Sequence, residues 1–395
     1  MSRITIASSC YPPKIRGGAE ISTKSLAELL VRMGHSVQSV SFSELESAEL
    51  INGVEVVRIK PSKLYSIYNN GDKGVLDKVR WRFREEFDPS LAKQVVKQAE
   101  LFNTEIFITS TIEDVSTYSW RLAAQSGMKT VHILRSYYLL CTKGSLFSKG
   151  KNCVGRCSIC KLANVNKLKN DKYLSSVVGL SEFILNEHLK YQLFTDAEKF
   201  VIPNVCFESD DTIKTKSKSQ IDRIVLGYLG RVHETKGIEE LISAISRSAN
   251  RNRIVLKIAG DGEANYVSQL IKKAALENVE CEMLGHQAPT AFFGMIDCLV
   301  VPSVWAEPFG RVVIESMFHG VPVIGRNSGG IPELIDSSSG LIYSSEEGLT
   351  GCIDDLCGSN LGERFLFSGI ERFKEKKISE AWSLLLKKIS CSDES

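Results

Sequence analysis

Two carboxylates, Glu307 and Glu315, flank seven residues in the run Glu307-Pro-Phe-Gly-Arg-Val-Val-Ile-Glu315. Pro308 suits a first helical turn, and Gly310 leaves no side chain near the expected helix start. Backbone N–H groups and the positive helix end can therefore approach an anion there. Glu307 is expected to project from the loop. Glu315 is expected about two turns into the helix, leaning toward its amino end, where a carboxylate can accept two vicinal hydroxyls as ribose sites do. A pair of solvated glutamates on a surface helix is the plain alternative. Arg231 and Lys236 follow a strand ending at Gly230, with four residues between them. Two cations at the carboxyl end of a strand suit a diphosphate, Arg as a planar fork and Lys as a point charge, although loop cations are usually solvated.

Glycines mark two further turns. Gly17-Gly18 lies in PPKIRGGAEIS between the first strand and the first helix, where backbone can approach a phosphate. The full G-x-G-x-x-G spacing is absent, and a turn alone explains the pair equally well. Gly329-Gly330-Ile331-Pro332-Glu333 follows a strand ending at Gly325. Cys141, Cys153, Cys157 and Cys160 form C-x11-C-x3-C-x2-C. Four thiolates can satisfy tetrahedral zinc or an iron–sulfur centre and so order a Lys/Gly-rich loop; four reduced thiols in a loop are the alternative.

These residues need a scaffold. Arg3–Ser9 reads as a strand. Residues 21–33 place Leu26, Leu29, Leu30 and Met33 at helical spacing before Gly34, and a strand resumes at Ser36–Phe42. Further strands are expected at Glu105–Thr109, Lys129–Leu134, Arg223–Gly230, Ile254–Gly260, Cys298–Pro302 and Val321–Gly325. Alternating strands and helices imply parallel sheets with right-handed crossovers. The chain's 395 residues suit two domains. Residues 206–221, polar and rich in Ser, Thr and Lys, divide an amino-terminal domain (1–205) from a carboxyl-terminal one (222–377). An amphipathic helix at 378–392 is placed back on the first domain. In doubly wound sheets ligands bind at the carboxyl ends of strands, so a cleft between the domains is the expected site.

Apolar residues are 43% and charged residues 24% of the chain, ordinary globular usage that excludes a disordered or collagen-like chain. No apolar run reaches the roughly 18–20 residues that span a bilayer, and the amino terminus lacks a long apolar core of a secretory signal. A cytoplasmic protein with reduced cysteines is expected. Residues 1–205 carry 28 Lys and Arg against 20 Asp and Glu, net +8, while residues 206–395 carry 21 against 27, net −6. Residues 136–172 hold eight Lys and Arg against Asp171 alone, and residues 76–84 (LDKVRWRFR) alternate basic and apolar groups. Such surfaces suit anionic lipid headgroups or an acidic acceptor glycan, placing the protein at the inner face of a membrane; a solvated basic surface is the alternative. A nucleic-acid role is not expected, with no binding motif and a pI near 7.9.

Taken together, RGGAE (residues 16–20), MGHSV (33–37), VIPNV (201–205), GYLGRVHETKG (227–237), AGDGE (259–263), the run 301–315 and GVPVIGRNSGGIPELI (320–335) resemble the retaining, nucleotide-sugar-dependent glycosyltransferases of family 4. The resemblance covers nearly the whole chain in the family's motif order. It implies the GT-B fold, two Rossmann-like domains facing a cleft, and metal-independent transfer from a UDP- or GDP-sugar to a hydroxyl of a glycan or lipid-linked acceptor, as in surface polysaccharide assembly. It further implies that Arg231 and Lys236 bind the donor diphosphate and that Glu315 holds the ribose. Glu307 would contact the transferred sugar beside the amides of Phe309 and Gly310, with Gly17 and Gly18 near the donor phosphate. One departure stands out. Where many relatives carry His-Asp before an aromatic and Leu-Leu-Cys, this chain reads Leu134-Arg135-Ser136-Tyr137-Tyr138-Leu139-Leu140-Cys141. Arg135 takes the place of a donor-contacting histidine, which fits a sugar bearing a negative group; His132 is the competing candidate, or a strand residue that merely packs. A nucleotide-sugar epimerase of the same fold and a non-catalytic nucleotide-sugar-binding subunit are the alternative functions.

Overall fold

The computed structural model describes residues 1–15, 17–61, 87–206, 223–358 and 364–391. The basic stretch 76–84, the linker beyond Cys206 and residue 392 lie outside these. The chain divides into two compact units, the first comprising Met1–Leu146, Cys153–Val205 and Glu375–Ser395, the second Phe147–Asn152 and Cys206–Lys374. This division differs in detail from 1–205 and 222–377. Residues 147–152 group with the second unit, and the carboxyl-terminal helix begins at Glu375.

Strands β1 (Arg3–Ala7), β2 (Ser36–Phe42), β3 (Ser47–Ile51), β4 (Val54–Ile59), β5 (Ile106–Thr109) and β6 (Lys129–Leu134) are followed by a short hairpin, β7 (Phe147–Ser148) and β8 (Lys151–Asn152), and by β9 (Ser176–Gly179) and β10 (Glu198–Val201). Without the hairpin they form an eight-stranded sheet in the order β10-β9-β6-β5-β1-β2-β4-β3. Pairing is parallel except between β3 and β4. From Ile4 onward β1 is buried, Thr5 included, as befits a central strand covered on both faces. The helix Glu375–Ser390 belongs to this unit, with Arg32 Nε 2.8 Å from Glu375 Oε1 and Lys388 Nζ 2.6 Å from Glu198 Oε2.

The second unit is built on β11 (Ile224–Leu229), β12 (Ile254–Ala259), β13 (Glu280–Gly285), β14 (Cys298–Val301), β15 (Val323–Arg326) and β16 (Gly340–Tyr343). All are parallel, in the order β13-β12-β11-β14-β15-β16. Helix Ile238–Arg247 buries Ile238, Leu241, Ile242 and Ile245, the i, i+3, i+4, i+7 spacing of an apolar stripe facing the sheet.

Both units are doubly wound α/β folds of the Rossmann type. Each sheet has one point where consecutive connections depart in opposite directions: beside β1, between β2 and β5, and beside β11, between β12 and β14. At such a point neighbouring loops part at the carboxyl ends of the strands and leave a crevice. In the second unit the loops bounding it carry Arg231 and Lys236 after β11, and Glu307, Phe309 and Gly310 after β14.

Candidate active site

Two glycines bring the second unit's loops together. Gly237 ends the turn Glu234–Lys236 at φ +68°, and a Cβ there would sit 2.1 Å from the carbonyl oxygen of Pro302. Only glycine lets the loop after β11 lie this close to the chain leaving β14. Trp305 N–H then donates to Thr235 O at 3.1 Å. Gly329 (φ +64°) does the same beneath Glu307, whose carbonyl oxygen would stand 2.3 Å from an added Cβ; Gly330 N–H donates to that oxygen at 2.7 Å. The turn Gly329–Glu333 thus props up the backbone of the first candidate carboxylate.

Across this close approach Lys236 Nζ meets Glu307 Oε1 at 2.7 Å, with side chains only 17% and 16% exposed, and lies 5.1 Å from the centre of the Trp305 ring. A partly buried ion pair is less screened than a surface one, and the indole face adds a cation–π attraction. Arg231 is exposed at the loop's start, its carbonyl accepting from Tyr228 Oη at 2.7 Å. His233 accepts the Thr235 N–H at Nδ1, and its pKa is lowered by burial and then by the neighbouring Arg231.

The helix carrying Glu315 starts later than Pro308 predicts. It runs Arg311–Phe318 with Gly310 as its N-cap at φ +114°, while Pro308 and Phe309 are buried in the preceding loop. Glu315 therefore lies just over one turn in, not two. Its Oε1 accepts from Arg311 Nε at 2.6 Å, an i, i+4 pair that is mostly buried. The thiol of Cys206 is buried within electrostatic reach of both: burial pushes its pKa up to about 12, with Arg311 and Glu315 acting on it in opposite directions. Arg311 is held above its ordinary range by Cys206 and Glu315 against the opposing effect of burial, the largest single influence. Sequence reasoning passed over Arg311, Trp305 and Cys206, although the four-residue spacing of Arg311 and Glu315 was a readable signal.

In the first unit, Gly17 caps helix Gly18–Arg32 in extended conformation (φ −174°), and its N–H donates to Glu20 Oε2 at 2.9 Å. The amide expected to meet a phosphate is thus engaged by a carboxylate of the same helix. Arg135 leaves the carboxyl end of β6, donating from Nε to Ser110 Oγ at 2.7 Å and from Nη1 to Asn204 Oδ1. Asn204 belongs to the segment VIPNV (201–205). His132 is a packing residue. It is buried in β6 with Nδ1 2.8 Å from Thr109 Oγ1 and its ring 4.9 Å from that of Trp120, and burial drives its pKa down to about 3.

Among the described residues no group of three or more His, Cys, Asp or Glu is placed to hold a metal ion. Cys141 and Cys160 are buried, Cys153 is intermediate and Cys157 is exposed, all as free thiols. Cys141 Sγ accepts the Lys143 N–H at 3.4 Å. Among the described residues no helix is long and apolar enough to cross a membrane.

Paired Rossmann-like units with charged loops at a switch point define the GT-B class, and solved structures agree. HepE of Anabaena in complex with UDP and glucose superposes with a TM-score of 0.69 at 18% identity, covering 98% of this chain and 100% of that one. Sucrose-phosphate synthase from Thermosynechococcus elongatus does so with a TM-score of 0.77 at 19% identity over 99% and 100%. Residues 209–356 match the family described as Glycosyl transferases group 1. Among curated relatives, an uncharacterized 42.6 kDa protein in the cps region of Klebsiella pneumoniae is 29% identical over 85% of this chain and 87% of its own length.

Proposed function

We propose that the protein moves a sugar from a UDP- or GDP-sugar to a hydroxyl of a glycan or lipid-linked acceptor, with retention of configuration, during assembly of a surface polysaccharide. The observation that carries this is the gathering of Arg231, Lys236 and Glu307 on the loops that bound the second unit's switch point, and of Arg311 and Glu315 on the helix that follows the second of them. Similarity to a structure holding UDP and glucose, and to a protein of a cps region, supports the choice of donor and setting.

Each residue then has a task. The donor diphosphate draws Lys236 Nζ from Glu307 and takes Arg231 as a second cation, so positive charge faces the leaving group as its bond to the sugar breaks. Glu307, released, accepts from hydroxyls of the transferred sugar, beside the amides of Phe309 and Gly310. Glu315, steadied by Arg311, accepts from the ribose diol. The acceptor hydroxyl attacks on the face the nucleotide leaves and passes its proton to a departing phosphate oxygen, which needs no protein base and no metal. Catalysis here is orientation and charge stabilisation. Gly17 and Gly18, at the start of the helix Gly18–Arg32, and Arg135, after β6, are assigned to the donor's phosphate and sugar.

A peripheral membrane site belongs to the same proposal. Lys143, Lys161, Lys169 and Lys172 are exposed, and on the helix Ser158–Ala163 Ile159 and Leu162 share a face at 72% and 80% exposure. Cations around protruding apolar side chains suit an anionic bilayer bearing a lipid-linked acceptor. The test of the chemistry is the anomeric configuration of the product by proton NMR, with released nucleotide followed in parallel. The donor's configuration in the product and one nucleotide per sugar are expected; inversion, or binding with no release, would refute it.

A further inference from the structure

The segment 304–306, which leads from β14 to Glu307, is held along both of its edges. On one side the Trp305 N–H donates to Thr235 O at 3.1 Å. On the other, the side-chain amide of Asn152 closes a ring with the backbone: Nδ2 donates to Val304 O at 2.8 Å, and Oδ1 accepts the Ala306 N–H at 3.0 Å. In extended backbone the carbonyl of one residue and the N–H of the second residue on point the same way, while the N–H between them points oppositely. A planar amide, with donor and acceptor side by side, therefore matches this edge as a neighbouring strand would.

Asn152 stands 154 residues before Ala306 in the sequence. It ends the hairpin of β7 and β8, in which Phe147 pairs with Asn152 and Ser148 with Lys151. The turn between them has Lys149 at φ +52° and Gly150 at φ +75°, the two positive values that a tight two-residue hairpin turn requires, and Phe147 is buried. Residues 147–152 belong to the second unit although the chain on either side of them belongs to the first.

The backbone that Asn152 grips carries the Trp305 ring, whose centre lies 5.1 Å from Lys236 Nζ, and leads directly to Glu307, whose Oε1 meets the same Nζ at 2.7 Å. We propose that Asn152 is a positioning residue for sugar transfer: it fixes the segment 304–306 and so sets the indole that, with Glu307, orients Lys236 toward the donor diphosphate. This role rests on the proposed sugar transfer for the task of Lys236, but not for the fixing of Trp305. Asn152 is itself exposed, so replacing it removes two hydrogen bonds without opening a core.

Two readouts on the full-length chain test this. In nucleotide release, Asn152→Leu is expected to lower kcat about threefold with little change in donor KM, because Lys236 acts on the leaving group as its bond breaks. It is expected to cause no further loss when Trp305 is already leucine, since both substitutions disturb the same contact. Asn152→Asp, of the same shape, should act in the same direction: it keeps the acceptor for the Ala306 N–H but sets an oxygen against Val304 O. The second readout needs no turnover. Acrylamide quenching of Trp305, taken as the difference between each chain and the same chain with Trp305→Phe, is expected to roughly double in Asn152→Leu and Asn152→Asp. Unchanged quenching in both variants, or an equal loss of kcat from Asn152→Leu whether or not Trp305 is present, would overturn the positioning role. A wild-type chain that releases no nucleotide would instead refute the sugar transfer and the task given to Lys236, while the quenching still decides whether Asn152 holds Trp305.

Discussion

The two units carry their candidate residues at corresponding places, the carboxyl ends of parallel strands, but hold them differently. In the second unit each carboxylate is met by a cation, Lys236 on Glu307 and Arg311 on Glu315. In the first unit Arg135 is fastened by hydroxyl and amide oxygens, those of Ser110 and Asn204. An ion pair can exchange one partner for an anionic ligand, so it neutralises an empty site and still supplies charge when filled. Removing one member leaves the other charge uncompensated in a partly buried place. The comparison also explains how a half-chain of net charge −6 can receive a dianionic diphosphate: local pairs, not net charge, set the field at the loops.

The strongest break of this contrast is Lys236→Ala. It takes charge from the leaving group and strands Glu307, and transfer is expected to fall about 10²–10³-fold with the circular dichroism spectrum unchanged. Acid comes next and acts on the first unit. His132 and His188 are buried there with pKa values lowered to about 3 and about 4, chiefly by burial. The unfolded chain protonates them near 6.5 and the folded chain does not. Their contribution is present above about 6.5 and lost as pH falls toward the folded values, by on the order of 1.4 kcal/mol per pH unit for each histidine. Urea midpoints measured from pH 7 to pH 5 should drop steeply, and His188→Phe should flatten the slope; no change in slope would contradict the burial. Arg311→Leu should raise the donor KM about tenfold with little change in kcat, since Glu315 keeps its place but loses its orientation. Trp305→Leu has the smallest expected effect, a few-fold in kcat/KM, the scale of a partly desolvated cation–π contact.

What could be read in advance follows physical lines. The central strands β1, β5, β6, β11, β12 and β14 announced themselves as β-branched or apolar runs, because a strand buried on both faces needs little else. The edge was harder. β13 (Glu280–Gly285) alternates exposed glutamates with half-buried residues, and in the β3–β4 hairpin, turning at Asn52-Gly53, β3 is almost wholly exposed. Pro308 misplaced the helix start because proline is equally at home in the buried loop that Gly310 ends at φ +114°. The motif residues Arg231, Lys236, Glu307 and Glu315 were identifiable by type and position; their pairing was not, since Lys236 reaches Glu307 only through the approach of Gly237 to Pro302.

Nucleotide release from a panel of UDP- and GDP-sugars, measured side by side for the wild-type chain, Lys236→Ala and Glu315→Gln, tests the central claim most directly. Release from at least one donor by the wild type, with loss of at least 100-fold in Lys236→Ala and a weakened donor KM in Glu315→Gln, is the expected result. Equal release by all three proteins would contradict the assignment of the paired charges to the donor.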